Sequence, residues 1–281
     1  MLIHVTKDNK WDLCTGVIDQ LSDGGNSIGL SVSGHEFIDD TVDGGLGICL
    51  TNASGRPAEF FLQGPDAAAI PHSDYLTRVE HISKDIAAGQ QSCSDQLRAR
   101  CHCGGVQYCI GRPTDQSRSM SAPWPDLVVP SRSGHATNKD DVKWWLRANG
   151  TKYLAGTCAC RSCRLAAGVP VQTWAFVPKA NLMAPDGTDF HFGLGTLTQY
   201  NSSKGNFREF CGVCGATAFW HCDERPDLID VSVGLLRAAE GARASSWLEW
   251  WTQRVSFKED ALSSSLIAEL ESGLAVLSKD K

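Results

Sequence analysis

The stretch Gly156-Thr157-Cys158-Ala159-Cys160-Arg161-Ser162-Cys163-Arg164 decides how the rest of this chain reads. Its C-x-C-x-x-C spacing is joined by two more groups. One is Cys101-His102-Cys103-Gly104-Gly105, a C-x-C, and the other is Cys211-Gly212-Val213-Cys214-Gly215, a C-x-x-C. Closely spaced cysteines followed by glycine form tight knuckles, in which backbone amides point at sulfur and support thiolate charge. Zinc accepts four such ligands tetrahedrally, and each must be deprotonated. Seven cysteines divide as four plus three. Cys101, Cys103, Cys211 and Cys214 close one site that ties an early turn to a late one. Cys158, Cys160 and Cys163 keep an open fourth position, which marks a reactive site. The alternative is a closed second site completed by His102, His221 or Cys222. Cys14, Cys49, Cys93, Cys109 and Cys222 lack ligand spacing and read as ordinary thiols.

Composition sets the frame for this reading. The 281 residues, 42% hydrophobic and 21% charged, suit an ordinary globular protein of one large or two modest domains. No apolar run approaches the roughly 18 residues that a membrane-spanning helix needs. Met1 to Trp11 mixes Lys and Asp into a short apolar stretch and lacks a signal-peptide core, so the expected location is intracellular, in the cytoplasm. A net charge of -6 argues against a nucleic-acid partner. In a reducing compartment, the 12 cysteines mark metal or redox sites rather than disulfides.

Around the cysteines the chain is mainly β. Alternation over Val106–Ile110, Val171–Val177, Phe190–Tyr200, Ala216–Trp220 and Ile229–Val233 predicts strands. Pro113 to Asn138 reads as a long surface loop, with Trp124 pinning part of it to the body. Trp247 to Trp251 reads as core or as a pocket wall. Ser256 and Glu259 form an expected capping box for a C-terminal helix that buries Leu262, Leu266, Ile267 and Leu270. Before about Gln91 the chain is poor in cysteine and rich in turn signals, which predicts short strands and loops. One echo stands out there: Asp12 to Ile18 resembles Asp230 to Leu236, as if the N-terminal part were a partial second copy.

Three thiolates leave a divalent ion with a formal charge of about minus one, which weakens its power to acidify water. Such a centre suits binding a substrate thiol and holding it as thiolate. That thiolate can attack a small carbonyl or leave in the reverse direction, so making or breaking a carbon–sulfur bond is favoured over hydrolysis.

The order CHCGGVQ, GTCACRSCR, GTLTQY and FREFCGVCGA resembles the glutathione-dependent formaldehyde-activating enzyme family, which includes centromere protein V. The resemblance spans about Ala99 to Phe257 and implies a zinc-binding β-tent fold with a short C-terminal helix. It implies two zinc ions, a structural one on Cys101, Cys103, Cys211 and Cys214 and a catalytic one on Cys158, Cys160 and Cys163. The implied chemistry is that of a carbon–sulfur lyase that condenses glutathione with formaldehyde. Residues 96–281 are then the family domain, and residues 1–95 are a cysteine-poor, β-rich extension made of a degenerate partial copy plus linker, of fungal type. Arg161, Arg164 and Arg208 flank the clusters and are expected to meet the carboxylates of a glutathione-like thiol, the alternative being solvation or pairing with acids. Trp174 and Tyr200 read as pocket wall or β-core. From other classes, a non-catalytic zinc-stabilised binding module and a thiol redox enzyme remain open.

Overall fold

The computed structural model describes residues 3–5, 11–18, 30–53, 56–64, 66–89, 95–125 and 138–278. Among the described residues ahead of residue 95, seven short strands form three small sheets. β1 (Ile3–Val5) pairs β2 (Trp11–Leu13), and β4 (Asn52–Ala53) pairs β5 (Arg56–Pro57). β3 (Gly34–His35), β6 (Glu59–Phe61) and β7 (Ala69–Ile70) make the third. They are followed by α1 (His72–Gly89), whose Tyr75 and Val79 pack on Ile38, Ala58 and Phe60.

The body is built from two sheets. The smaller one pairs β8 (Gln96–Arg100), β9 (Gln107–Gly111) and β13 (Leu182–Met183), with α2 (Asp115–Ser119) after β9. The larger one takes β10 (Leu146–Arg147), β11 (Lys152–Cys158) and β12 (Gln172–Pro178), then β14 (Leu197–Ser203), β15 (Asn206–Cys211), β16 (Thr217–Cys222), β17 (Arg225–Ser232) and β18 (Leu248–Trp250). Its order is β10-β11-β12-β17-β16-β15-β14, with β18 parallel on β11. Strand alternation splits its side chains into two cores. Ala155, Ala175, Phe219 and Val231 meet Leu97, Tyr108 and Ile110 of the smaller sheet. On the opposite face, Leu154, Trp174 and Phe176 pack with Trp144, Trp145, Cys158 and Cys163. Fully burying each such large side chain stabilises the fold by roughly 1.5–3 kcal/mol.

Several expectations shift by physical cause. Phe190 to Leu194 is not a strand. Gly193 and Gly195 turn the backbone with φ of 98° and 61°, while Phe190 and Phe192 pack as an aromatic cluster on Phe219. The C-terminal helix α4 (Ser264–Leu277) begins later than the capping box predicts. Ser263, not Ser256, accepts from the Leu266 amide, because the Ser256 backbone is already bonded to Thr157 and Ala159. The 113–138 loop contains α2, capped by Thr114 and Ser117, while residues 126–137 lie outside the described residues. Trp124 does meet the body, beneath the Arg225 guanidinium. The 18-residue helix α1 has no counterpart in the sequence reading.

The echo between the two ends is also an echo in conformation. Cys14 (φ -69°, ψ 105°) leads into a 3-10 turn at Thr15–Val17, and Ser232 (φ -65°, ψ 116°) leads into one at Val233–Leu235. Further on, Phe37 (φ 56°, ψ 32°) opens a 3-10 turn at Ile38–Thr41, and Phe257 (φ 53°, ψ 37°) opens one at Lys258–Asp260. Left-handed phenylalanine is uncommon, which makes the second match the more telling. Among the described residues, no helix is long and apolar enough to cross a membrane.

Candidate functional site

The turns at the ends of β8 and β15 bring Cys101, Cys103, Cys211 and Cys214 together, with all sulfurs within 4.8 Å of one another. Gly104 and Gly215 end the two knuckles with φ of 78° and 76°, a conformation that side chains resist. That bend aims backbone amides at sulfur. Val106 N donates to Cys101 Sγ at 3.2 Å, Gly105 N to Cys103 Sγ at 3.4 Å and Cys214 N to Cys211 Sγ at 3.4 Å. Burial pushes the Cys211 thiol up, but the Cys214 amide and the Thr196 hydroxyl outweigh it and hold Cys211 down at about 6. The sulfur spacings of 3.6 Å (Cys101–Cys103) and 3.5 Å (Cys103–Cys211) lie close to the edge of about 3.8 Å of a tetrahedron with 2.3 Å metal–sulfur bonds. This donor set fits a thiophilic ion.

The other group lies where β11 ends and α3 (Arg161–Ala167) begins. Cys158 is the last residue of β11, Cys160 is the N-cap of α3, and Cys163 sits in its first turn. Their sulfurs also lie within 4.8 Å of one another, so this group too can hold a metal ion. Among the described residues, no further His, Cys, Asp or Glu joins either set. His221 is drawn elsewhere: it bonds Glu209 at 3.1 Å and stacks on Phe192 at 3.9 Å. As free thiols the three share their protons unequally. Bonds from Cys158 and Cys163 hold Cys160 well below the usual thiol range, while bonds with Cys160 and Cys163, together with burial, keep Cys158 well above it.

The three arginines do different things. Arg208 is buried, and its Nη2 donates to Ser162 Oγ at 2.9 Å and to Cys163 Sγ at 3.5 Å. Arg164 is also buried, and its Nη1 donates to the carbonyls of Gly16 (3.1 Å) and Ile18 (3.5 Å) in the N-terminal part. Arg161 is exposed at the first position of α3. Trp174 is buried beside the cluster, and Tyr200 is 60% exposed. Sequence reasoning missed Ser162, whose only signal was its place within the motif. It also missed Gln172, which faces Cys158 across the β11–β12 ladder and donates to Ser232 Oγ at 3.0 Å.

The sequence pattern of the glutathione-dependent formaldehyde-activating enzyme family matches residues 143–254. That stretch is a domain of this family. The formaldehyde-activating domain so matched holds five of the seven clustered cysteines, while Cys101 and Cys103 precede it. A crystal structure of a Rhodobacter sphaeroides protein is 18% identical and covers 55% of this chain and 99% of that chain, with a TM-score of 0.29. No curated protein matches the chain. The formaldehyde-activating family brings an association with glutathione and formaldehyde to the domain that carries Cys158, Cys160 and Cys163.

Proposed function

We propose that this protein is a zinc-dependent carbon–sulfur lyase acting on the adduct of a glutathione-like thiol and a small aldehyde. The observation that carries the reading is the gathering of Cys158, Cys160 and Cys163 beside a buried arginine, within a formaldehyde-activating domain. On this reading Cys101, Cys103, Cys211 and Cys214 hold a structural zinc ion, and Cys158, Cys160 and Cys163 hold a catalytic one. Zinc bound by three thiolates would supply a soft Lewis acid that keeps a substrate thiol deprotonated. The chain's own residues do the rest. The amides of Cys163 and Arg164 brace Cys160, through its sulfur (3.3 Å) and its carbonyl (3.0 Å) respectively. Trp174, Trp220 and Phe257 line the apolar side and keep water from the reacting atoms. On this reading the exposed Arg161 meets a carboxylate of the thiol, and Arg208 faces the cluster from β15. The free thiols suit a reducing cytoplasm.

The repeated strand, turn and left-handed phenylalanine support a second part of the proposal. Residues 1–95 are a partial, degenerate copy of the domain plus a linker, docked on the intact domain of residues 96–281.

Zinc analysis of the intact protein, together with NMR detection of S-hydroxymethylglutathione formation from glutathione and formaldehyde, tests the reading. Two zinc ions per chain and an accelerated adduct rate are expected. One ion per chain with Cys158, Cys160 and Cys163 titrating as free thiols would favour a thiol redox enzyme instead.

A further inference from the structure

Arg208 lies on the same face of the large sheet as the cysteines. The ladder sets it opposite Tyr200 on β14 and Trp220 on β16, and Trp220 belongs to the aromatic cluster around Cys158 and Cys163. The residue is 5% exposed. Its Nη2 is occupied by Ser162 and Cys163, yet Nε and Nη1 are buried and meet no acceptor among the described residues. Glu209, the acid next to it in sequence, is bonded to His221 on the opposite face. A guanidinium buried without using its donors is unfavourable, and a fold that only needed to neutralise thiolate charge would give those N–H groups an acceptor. Donors held ready in a dry site, beside a cluster that would hold the attacking thiol, are the arrangement that stabilises charge appearing during a reaction.

Resting on the lyase reading above, we infer that Arg208 is a catalytic residue whose Nε and Nη1 hydrogens stabilise the oxygen anion formed when the thiol adds to the aldehyde. In that step the thiol sulfur, having lost its proton to solvent, donates an electron pair to the carbonyl carbon. The carbon–sulfur bond forms, the carbon–oxygen π bond breaks, and its electron pair moves to oxygen. The oxygen carries the negative charge until it takes up one proton, so the thiol and aldehyde sum to the S-hydroxymethyl product. Arg208 donates hydrogen bonds throughout and transfers no proton. In the reverse direction it holds the same oxygen as the carbon–sulfur bond breaks. This role differs from gripping a carboxylate of the thiol, and the two are separable by experiment.

The test uses full-length wild type, Arg208→Gln and Arg208→Lys, each with its zinc content measured. Adduct formation is followed with glutathione and with 2-mercaptoethanol, which has no carboxylate. Formate, a small oxygen anion, is titrated against each protein and read by tryptophan fluorescence, with Trp220 beside Arg208. Expected for Arg208→Gln are an unchanged zinc content, a thiol KM within about threefold, and a kcat lower by about 10²–10³ with both thiols. Formate quenching should be lost in Arg208→Gln and weakened in Arg208→Lys. A raised KM confined to glutathione would overturn the inference in favour of carboxylate binding. Loss of one zinc ion from Arg208→Gln would overturn it in favour of a purely structural cation. Wild-type protein inert toward every thiol–aldehyde pair would instead overturn the lyase reading, and this role with it. Formate quenching that survives in Arg208→Gln would overturn the role of these donors whatever the reaction.

Discussion

Arg164 Nη1 donates to the carbonyl of Gly16 at 3.1 Å, joining the helix that carries Cys160 and Cys163 to the N-terminal part of the chain. Gly16 N returns a bond to Gly168 O at 3.1 Å, just past the end of the same helix. The contact leaves no room, since a Cβ at Gly16 would stand 2.3 Å from the Val169 nitrogen. Gly16→Ala is expected to separate the two parts at a cost of about 1–3 kcal/mol. Hydrogen exchange across Arg161–Gly168 should then speed up, and Arg164→Met should do the same. Unchanged protection in both variants would show that the N-terminal part does not brace this helix.

Removing metal ligands should separate the two cysteine sites. Cys211→Ala is expected to lower the melting temperature strongly, because it opens the link between the two sheets. Cys160→Ala should unfold cooperatively near the wild-type temperature, with one zinc ion fewer and no adduct formation. Calorimetry with zinc analysis on both variants makes the comparison. Equal destabilisation by the two would count against unequal roles.

The gathering of seven cysteines into a group of four and a group of three was legible in the sequence, because ligand spacing is local: C-x-C and C-x-x-C followed by glycine already specify a knuckle. Strands β12, β16 and β17 were legible for a similar reason, as Gln172–Pro178 is rich in β-branched and aromatic residues, whereas β10, β11 and β15 had no counterpart in the sequence reading. Helix α1 had no such reading although Tyr75, Val79, Ile82 and Ile86 of HSDYLTRVEHISKDIAAG recur at helical spacing, because the glycine-rich turn signals ahead of it drew the whole region toward short strands and loops. The separate duties of Arg164 and Arg208 were invisible as well. Both are arginines near cysteines in sequence, and only the packing of α3 between β15 and the N-terminal turn sends one to each side.

The Cys49 thiol gives the stability a pH signature. Burial pushes it up to about 11 from an ordinary 9.0, with Arg243 pulling weakly the other way. The folded state therefore favours the protonated thiol. Its contribution is fully present below pH 9 and is lost as pH rises toward 11, amounting to about 2–3 kcal/mol. Burial pushes the Tyr108 and Tyr153 phenols up too, so they steepen the fall in the same direction. Denaturant melts of Cys49→Ala between pH 8 and 11 should show a shallower alkaline slope than wild type. A slope equal to wild type would remove Cys49 from this account.

Arg225 is buried in a box of Trp124, Trp144, Phe176 and Trp220 and pairs with Asp230. Replacing either partner breaks this buried ion pair, at a cost of up to about 3–5 kcal/mol. Asp230→Ala and Arg225→Met are each expected to lose that much. The double variant should lose less than the sum of the two, as a double-mutant cycle by chemical denaturation would read. Additive losses would mean that the pair is not coupled.

Cys103 and Cys211 lie 108 positions apart along the chain and 3.5 Å apart in space. A metal ion held there would turn everything between them into a closed ring, with Cys158, Cys160 and Cys163 near its middle. Closing a ring of about 100 residues removes chain entropy from the unfolded state worth on the order of 5 kcal/mol. During synthesis the ring can shut only after Cys211 has emerged, when the middle cysteines have long been available. On the proposed reading, assembly therefore has a built-in sequence: a single late metal clasp fixes the perimeter, and the group of Cys158, Cys160 and Cys163 is tightened from outside.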